Sequence, residues 1–189
     1  MQTEKGVTKF MEEYRSFDTS DEVKEWVNNN YSVAELSDLT FDISNPENNV
    51  ALFLYKGVGY RRMNENVRKG NLTNEWVAEL QSLLLSKRIK ESIEVERFVD
   101  FKEWMILLGK TSWGRFYKYP AFLSTTMLSK DYGIEDIAQR RHVVKIQIPQ
   151  GTPGTYIPEV NKDRPEFEVL LPYHIKLCRI KDDVFRVVI

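Results

Sequence analysis

Over most of the first 110 residues, apolar positions fall three or four apart. From Tyr119 onward they alternate or run together. The first spacing is the period of a helix and the second that of a strand. Glu4 to Tyr14 reads as a short helix. Ser20-Asp21-Glu22 reads as a cap with acids in the first turn, followed by Val23, Trp26 and Val27 at helical spacing and a stop at Asn28-Asn29-Asn30. Ser32-Val33-Ala34-Glu35 is a capping box that opens a helix with Val33, Leu36 and Leu39 on one face. Asn45 to Asn49 reads as a loop. Val50 to Tyr55 is continuously apolar and predicts a buried strand ending at Lys56-Gly57-Val58-Gly59. Tyr60 to Lys69 predicts a helix closed by Gly70, and Thr73 caps a further helix with Trp76, Val77, Leu80, Leu83 and Leu84 as its stripe. A helix from about Glu94 to Leu108 is expected to bury Phe98, Phe101, Trp104, Met105 and Leu108.

The β part begins with Ala121 to Thr126, a strand that ends in three hydroxyls. Met127 to Gln139 reads as a loop, with Arg140-Arg141 leading into a strand from His142 to Ile148. Pro149 to Gly154 is a turn, Thr155 starts a strand, and Pro158 to Pro165 is a loop. Arg164 to Pro172 reads as one strand, and His174 to Ile180 and Val184 to Ile189 complete the sheet around a turn at Asp182-Asp183.

With 189 residues, 42% of them apolar, the chain is long enough to bury one real core. No apolar run approaches the ~20 residues that span a bilayer, and Met1 to Phe10 is polar, so neither membrane insertion nor a signal peptide is expected. A single cysteine, Cys178, excludes an internal disulfide and a cysteine-based metal cluster. Two histidines, His142 and His174, make a weak case for zinc, so no metal is expected. The net charge of −1 divides into −7 over residues 1–47 and +6 over 48–189. A basic larger part without a dense Lys/Arg run suits a small anionic ligand better than nucleic acid.

Candidate chemistry sits in two places. In a strand, residues i and i+2 share a face, so Glu166 and Glu168 project together while Phe167, Val169 and Leu171 turn to the core. Two carboxylates about 7 Å apart repel by roughly 2–3 kcal/mol, enough to raise one pKa by about 1–2 and give the two acids different roles. Such a pair on an exposed edge strand is common and carries little alone. Ser124-Thr125-Thr126 either caps a turn or holds a buried carboxylate.

Taken together and in order, LYKG (54–57), FLSTT (122–126), HVVKIQIPQGTPGTYI (142–157) and PEFEVLLP (165–172) resemble the bacterial mono-ADP-ribosyltransferase exotoxin family, which includes the enzymatic components of clostridial binary actin toxins. The resemblance is strongest from about 119 to 180 and weaker from about 50. It implies an α+β fold of two packed, crossed β-sheets with N-terminal and covering helices. As one catalytic domain over 1–189, the chain would have a helical N-terminal region (1–47) and an NAD-binding β core (48–189) with a helical insert at about 71–110. It also implies NAD as substrate, cleavage of the nicotinamide–ribose bond through an oxocarbenium-like transition state, and transfer of ADP-ribose to a protein.

By that resemblance Glu168 is the catalytic glutamate, Ser124 orients it, and Thr125 and Thr126 complete the motif as NAD-binding residues. Glu166 falls at the position that selects arginine as acceptor, and a carboxylate there suits a guanidinium. The Pro158–Pro165 loop would meet the acceptor protein, with actin or a bacterial protein as candidate targets. Arg140 and Arg141 fall near an element that touches NAD phosphates. The family's phosphate-gripping arginine has two candidates: Lys56 with Gly57, where LYKG replaces LYRG, or Arg61 in Tyr60-Arg61-Arg62. A lysine in that role would lower NAD affinity by roughly 1–2 kcal/mol. The resemblance further implies a toxin or effector that is secreted or delivered into a target cell, as a monomer or as one domain of a larger toxin. A decayed partner-binding domain and an NAD glycohydrolase using water are the other readings of the same cleft.

Overall fold

The computed structural model describes residues 13–40, 50–128, 142–158 and 166–189. Local capping signals translate directly into its first helices. Thr19 caps α1 (Ser20–Asn30), its hydroxyl accepting from the Glu22 N–H, and Val23, Trp26 and Val27 are buried. Ser32 and Glu35 close the expected capping box on α2 (Val33–Asp38). Val33 nonetheless stands exposed in the first turn, and Leu39, just past the helix end, is buried. The helix expected over Glu4 to Tyr14 lies almost wholly outside the described residues. Tyr14 itself is not helical, and Arg15 forms a parallel bridge to Ile93.

Two expected elements differ. Val50 to Tyr55 is not a strand: it forms α3 (Val50–Leu54) and runs into a π-helical segment (Tyr55–Gly59). Ala51, Leu52 and Tyr55 are buried while Phe53 is 41% exposed, which is a helical face. A six-residue apolar run fits either period, and only packing decides it. Glu94 to Leu108 is likewise not one helix. Ile93–Val99 is strand β1, and Asp100 then caps α6 (Phe101–Lys110) by accepting from the Glu103 N–H at 2.7 Å. The expected stripe is therefore displaced, with Leu107 buried and Phe101 and Met105 exposed. The alternation in Ile93-Glu94-Val95 and the Asp100 cap are the signals that a single 3.6-residue template overrode.

The remaining helices follow expectation closely. α4 (Tyr60–Arg68) ends before Gly70, whose φ is +74°. Asn74 caps α5 (Glu75–Ser86) in place of Thr73. Val77, Leu80 and Leu84 of α5 are fully buried, each contributing about 1.5–3 kcal/mol over exposure, whereas Trp76 is at the surface.

Among the described residues, eight strands complete the fold: β1, β2 (Tyr117–Lys118), β3 (Leu123–Thr126), β4 (His142–Ile148), β5 (Thr155–Tyr156), β6 (Glu168–Leu171), β7 (Lys176–Lys181) and β8 (Val184–Val188). Their order is β2-β7-β8-β4-β1-β3-β6-β5, antiparallel except for β4 with β8. The class is α+β, as expected. The two expected sheets are joined into one ladder, but only through a single residue pair, Glu96 opposite Thr126. β1 pairs with β4 along its whole length, so the other edge of β1 is left to Glu96 and, three residues earlier, to the bridge from Arg15. The stretch 71–110, expected as a helical insert, thus supplies the strand at which the two halves part.

β6 is buried on both faces. Val169 and Leu171 join the larger core between the sheet and α1, and Leu170 joins a second core under α3, α4 and α5 with Phe122 and Ile157. The turn before β5 crosses β6 so closely that a Cβ on Gly154 would lie 2.5 Å from Leu171 Cδ2 and 2.8 Å from the Leu170 carbonyl, at a φ of +138°. Gly154→Ala is therefore expected to lower the unfolding free energy by about 1–3 kcal/mol in urea titration. Gly109→Ala, on α6 with open space around it, should raise it by about 0.5–1 kcal/mol.

Candidate active site

Where β1 and β3 diverge, a pocket of about 520 Å³ opens between the sheet and the face of α4 that carries Tyr60, Asn64 and Arg68. Those three residues recur every four positions, while Met63 and Val67 of the same helix point into the core. An aromatic cluster holds the helical wall to the sheet: Tyr55 packs edge-on against Phe122 and Tyr60, and Phe122 against Tyr173. Buried Asn64 accepts the Phe122 N–H at 2.9 Å and so fixes the start of β3.

The β3–β6 register builds the pocket floor. Ser124 lies opposite Leu170 and Thr126 opposite Glu168, so Ser124 and Glu168 are diagonal neighbours on one face. The Ser124 hydroxyl donates to Glu168 Oε1 at 2.6 Å, and the Glu168 residue is only 6% exposed. Thr125, on the other face, donates to the Val169 carbonyl at 2.9 Å. The Thr126 hydroxyl reaches the Glu166 carbonyl at 2.9 Å and the Leu128 carbonyl at 3.1 Å. The hydroxyls of both threonines, expected to contact NAD, are thus engaged by backbone and frame the motif.

Glu166 is not on the strand. β6 begins at Glu168, and Phe167 sits at φ +43°, a left-handed conformation costing about 1–3 kcal/mol in a non-glycine residue. Thr126 and the Met127 N–H, which donates to the Phe167 carbonyl, brace that corner. The corner buries Phe167 in the larger core and brings half-exposed Glu166 to the pocket mouth.

Lys56 joins the two acids. Its Nζ lies 2.8 Å from Glu166 Oε2 and 3.0 Å from Glu168 Oε2. The repulsion expected between two adjacent carboxylates is replaced by attraction to a shared cation. Burial alone would lower the Lys56 pKa, but the charges of Glu168 and Glu166 outweigh it and hold the ammonium above its ordinary value. Contrary to the sequence expectation, Lys56 does not follow a strand. It rides on the π-helical segment and faces the carboxylates. Gly57 next to it is exposed and does not line the pocket. Tyr55 is kept neutral, first by burial and then by the Glu168 charge, both of which push its pKa up.

The arginine on a strand beside Ser124 is Arg97, which the sequence reading missed. It shares the face of β1 that carries buried Val95 and Val99. Its Nε donates to Glu103 at 3.0 Å, one terminal nitrogen to the Tyr119 hydroxyl at 2.8 Å and the other to the Ser124 carbonyl. Tyr119 in turn donates to Glu103. Burial would lower the Arg97 pKa, and the surrounding Tyr119 and Glu103 reverse that and raise it. The signal that could have found it is a charged residue on the apolar side of an alternating strand.

Of the expected site residues, Glu168, Glu166, Ser124, Lys56, Arg61, Thr125 and Thr126 line this one pocket. Arg140, Arg141 and nearly all of the Pro158–Pro165 loop lie outside the described residues. Tyr60, Asn64, Arg68, Glu96 and Arg97 line it in addition. Among the described residues no group of three or more His, Cys, Asp or Glu side chains is placed to hold a metal ion.

A family model for the ADP-ribosyltransferase exoenzyme matches residues 20–183. No curated protein sequence matches the chain. Among solved structures, the ADP-ribosylating toxin BECa of a Clostridium perfringens binary enterotoxin, with NADH, superposes with a TM-score of 0.68 at 19% identity. That alignment covers 92% of this chain and 49% of the other, so the chain spans about half the length of BECa. The Clostridium limosum C3 exoenzyme gives 0.65 at 17% identity over 94% and 98% of the two chains. C3stau2 from S. aureus, with NAD, gives 0.59 at 20% identity over 93% and 98%. Identities this low show a shared fold.

Removing Arg97 leaves the Glu103 carboxylate and the Ser124 carbonyl without their shared donor. Arg97→Ala is expected to cost about 3–5 kcal/mol of stability by urea unfolding, and a loss under 1 kcal/mol would show that the clamp is dispensable.

Proposed function

The chain belongs to the ADP-ribosyltransferase exoenzyme family, and from that premise we propose that it cleaves the nicotinamide–ribose bond of NAD and transfers ADP-ribose to an arginine of a target protein. The observation that carries this reading is the Glu168 carboxylate, nearly buried at the pocket floor and oriented by Ser124 at 2.6 Å. NAD supplies a ribose carbon that becomes electron-poor as nicotinamide departs. A fixed carboxylate in a site largely shielded from water is the group that stabilises such charge, because it needs no reorganisation when the charge develops. Ser124 is the positioning residue for it.

Glu166 acts on the acceptor. Half exposed at the mouth, it can pair with an incoming guanidinium and take its proton as the nitrogen attacks. Thr126 keeps that carboxylate at the mouth by holding its backbone. The phosphate-binding role sought at Lys56 or Arg61 falls to Arg97 together with Arg61 and Arg68 of α4. Three of the five Arg97 N–H donors are engaged by Glu103, Tyr119 and Ser124, and the guanidinium lines the pocket. Arg61 and Arg68 add positive charge along the α4 wall. The acceptor is a protein of another cell, and the fold shared with bacterial toxins supports an effector role.

The test uses NAD labelled in the adenylate, with and without a cell lysate. Glu168→Ala should lose both NAD cleavage and protein labelling by roughly 10²–10³-fold. Glu166→Ala should keep cleavage with water as acceptor while losing the label on protein. Equal loss of both activities in the two variants would contradict the division of labour.

A further inference from the structure

Lys56 reaches the carboxylates from an irregular turn. Gly57 within the π-helical segment has φ −86° and ψ −125°, outside the helical region, and a Cβ on Gly59 would lie 2.6 Å from the Leu54 carbonyl. π-helical turns of this kind are often found at functional sites. The segment aims the lysine across the pocket, where its side chain is 10% exposed, little more than the 7% of the Glu168 side chain.

One ammonium therefore binds both acids that the proposed reaction uses separately. A guanidinium approaching Glu166 meets an oxygen already bonded to a cation at 2.8 Å, and two cations on one carboxylate oxygen repel. Lys56 could in principle be an acceptor itself. The carboxylates keep it protonated, however, so it has no lone pair with which to attack and can only compete.

We propose that Lys56 is a specificity-determining residue: a tethered internal cation that occupies the Glu166–Glu168 pair and that the acceptor guanidinium must displace. A protein acceptor brings further contacts that offset the displacement, whereas a small guanidine brings none. Lys56 thereby discriminates against free guanidino compounds by raising a barrier to the wrong partner. This inference rests on the arginine-acceptor reading of the site, and it goes beyond it in assigning the selectivity to one residue.

The measurement is the binding of agmatine to the intact chain by NMR titration, which requires no turnover, alongside its KM as acceptor with NAD. Lys56→Met should bind agmatine roughly tenfold more tightly than the wild type and lower its KM in proportion. Lys56→Arg, which keeps the cation, should bind as weakly as wild type. In the wild type, saturating agmatine should shift the ¹⁵N-labelled Lys56 ammonium signal, a readout that stands if Lys56→Met fails to fold. Equal agmatine affinity in wild type and Lys56→Met, or a Lys56 signal unmoved by bound agmatine, would overturn the proposal. Absence of NAD cleavage in the wild type would instead sink the enzymatic reading and leave the binding comparison to decide the role of Lys56.

Discussion

A carboxylate that water can barely reach must find its partners inside the protein, and Glu168 imposes that constraint on everything around it. The cost of an unpaired buried charge is several kcal/mol, so the fold has to deliver a donor to each oxygen. Ser124 serves Oε1 and Lys56 serves Oε2. The first contact follows from the β3–β6 register, since a one-residue slip would turn Ser124 to the opposite face. The second depends on a turn 112 positions away in sequence. β6 is fixed in turn by cores on both of its faces and by Gly154, where another side chain would not fit.

The pocket exists because the sheet nearly comes apart. β1 and β3 share one residue pair, and the Arg97 guanidinium holds the Ser124 carbonyl beside that junction. Arg97 is a partly buried charge of the site, paired with Glu103 and Tyr119 on the side away from the motif. A cation under Ser124 and a cation over Glu168 flank one hydroxyl–carboxylate pair. Strain at Phe167 places the second carboxylate at the mouth, outside the strand, with more exposure than its neighbour. Two acids two residues apart thereby acquire different surroundings, which is what two different tasks require.

Local and short-period features of this arrangement were legible in the sequence. The Ser32/Glu35 capping box, the β4 alternation and the hydroxyl-rich end of β3 depend on neighbours within a few residues. Ser124, Glu166 and Glu168 were found because motif order supplied the long-range information that periodicity lacks. Val50 to Tyr55 failed because a short apolar run fits a helix and a strand equally well, and the packing of Ala51, Leu52 and Tyr55 under α5 decided it. Arg97 was lost when its strand was read as helix. Lys56 was singled out for this pocket, but its pairing with the two carboxylates was not legible, since a π-helical turn has no sequence period to read.

The central claim is that Ser124 and Glu168 act as one unit in NAD cleavage. A double-mutant cycle on kcat/KM for NAD hydrolysis, comparing wild type, Ser124→Ala, Glu168→Gln and the double variant, measures that directly. If the hydroxyl works only by positioning the carboxylate, the double variant should be no slower than Glu168→Gln, within about twofold. Losses that add in free energy would mean that Ser124 acts independently of Glu168 and would contradict the account.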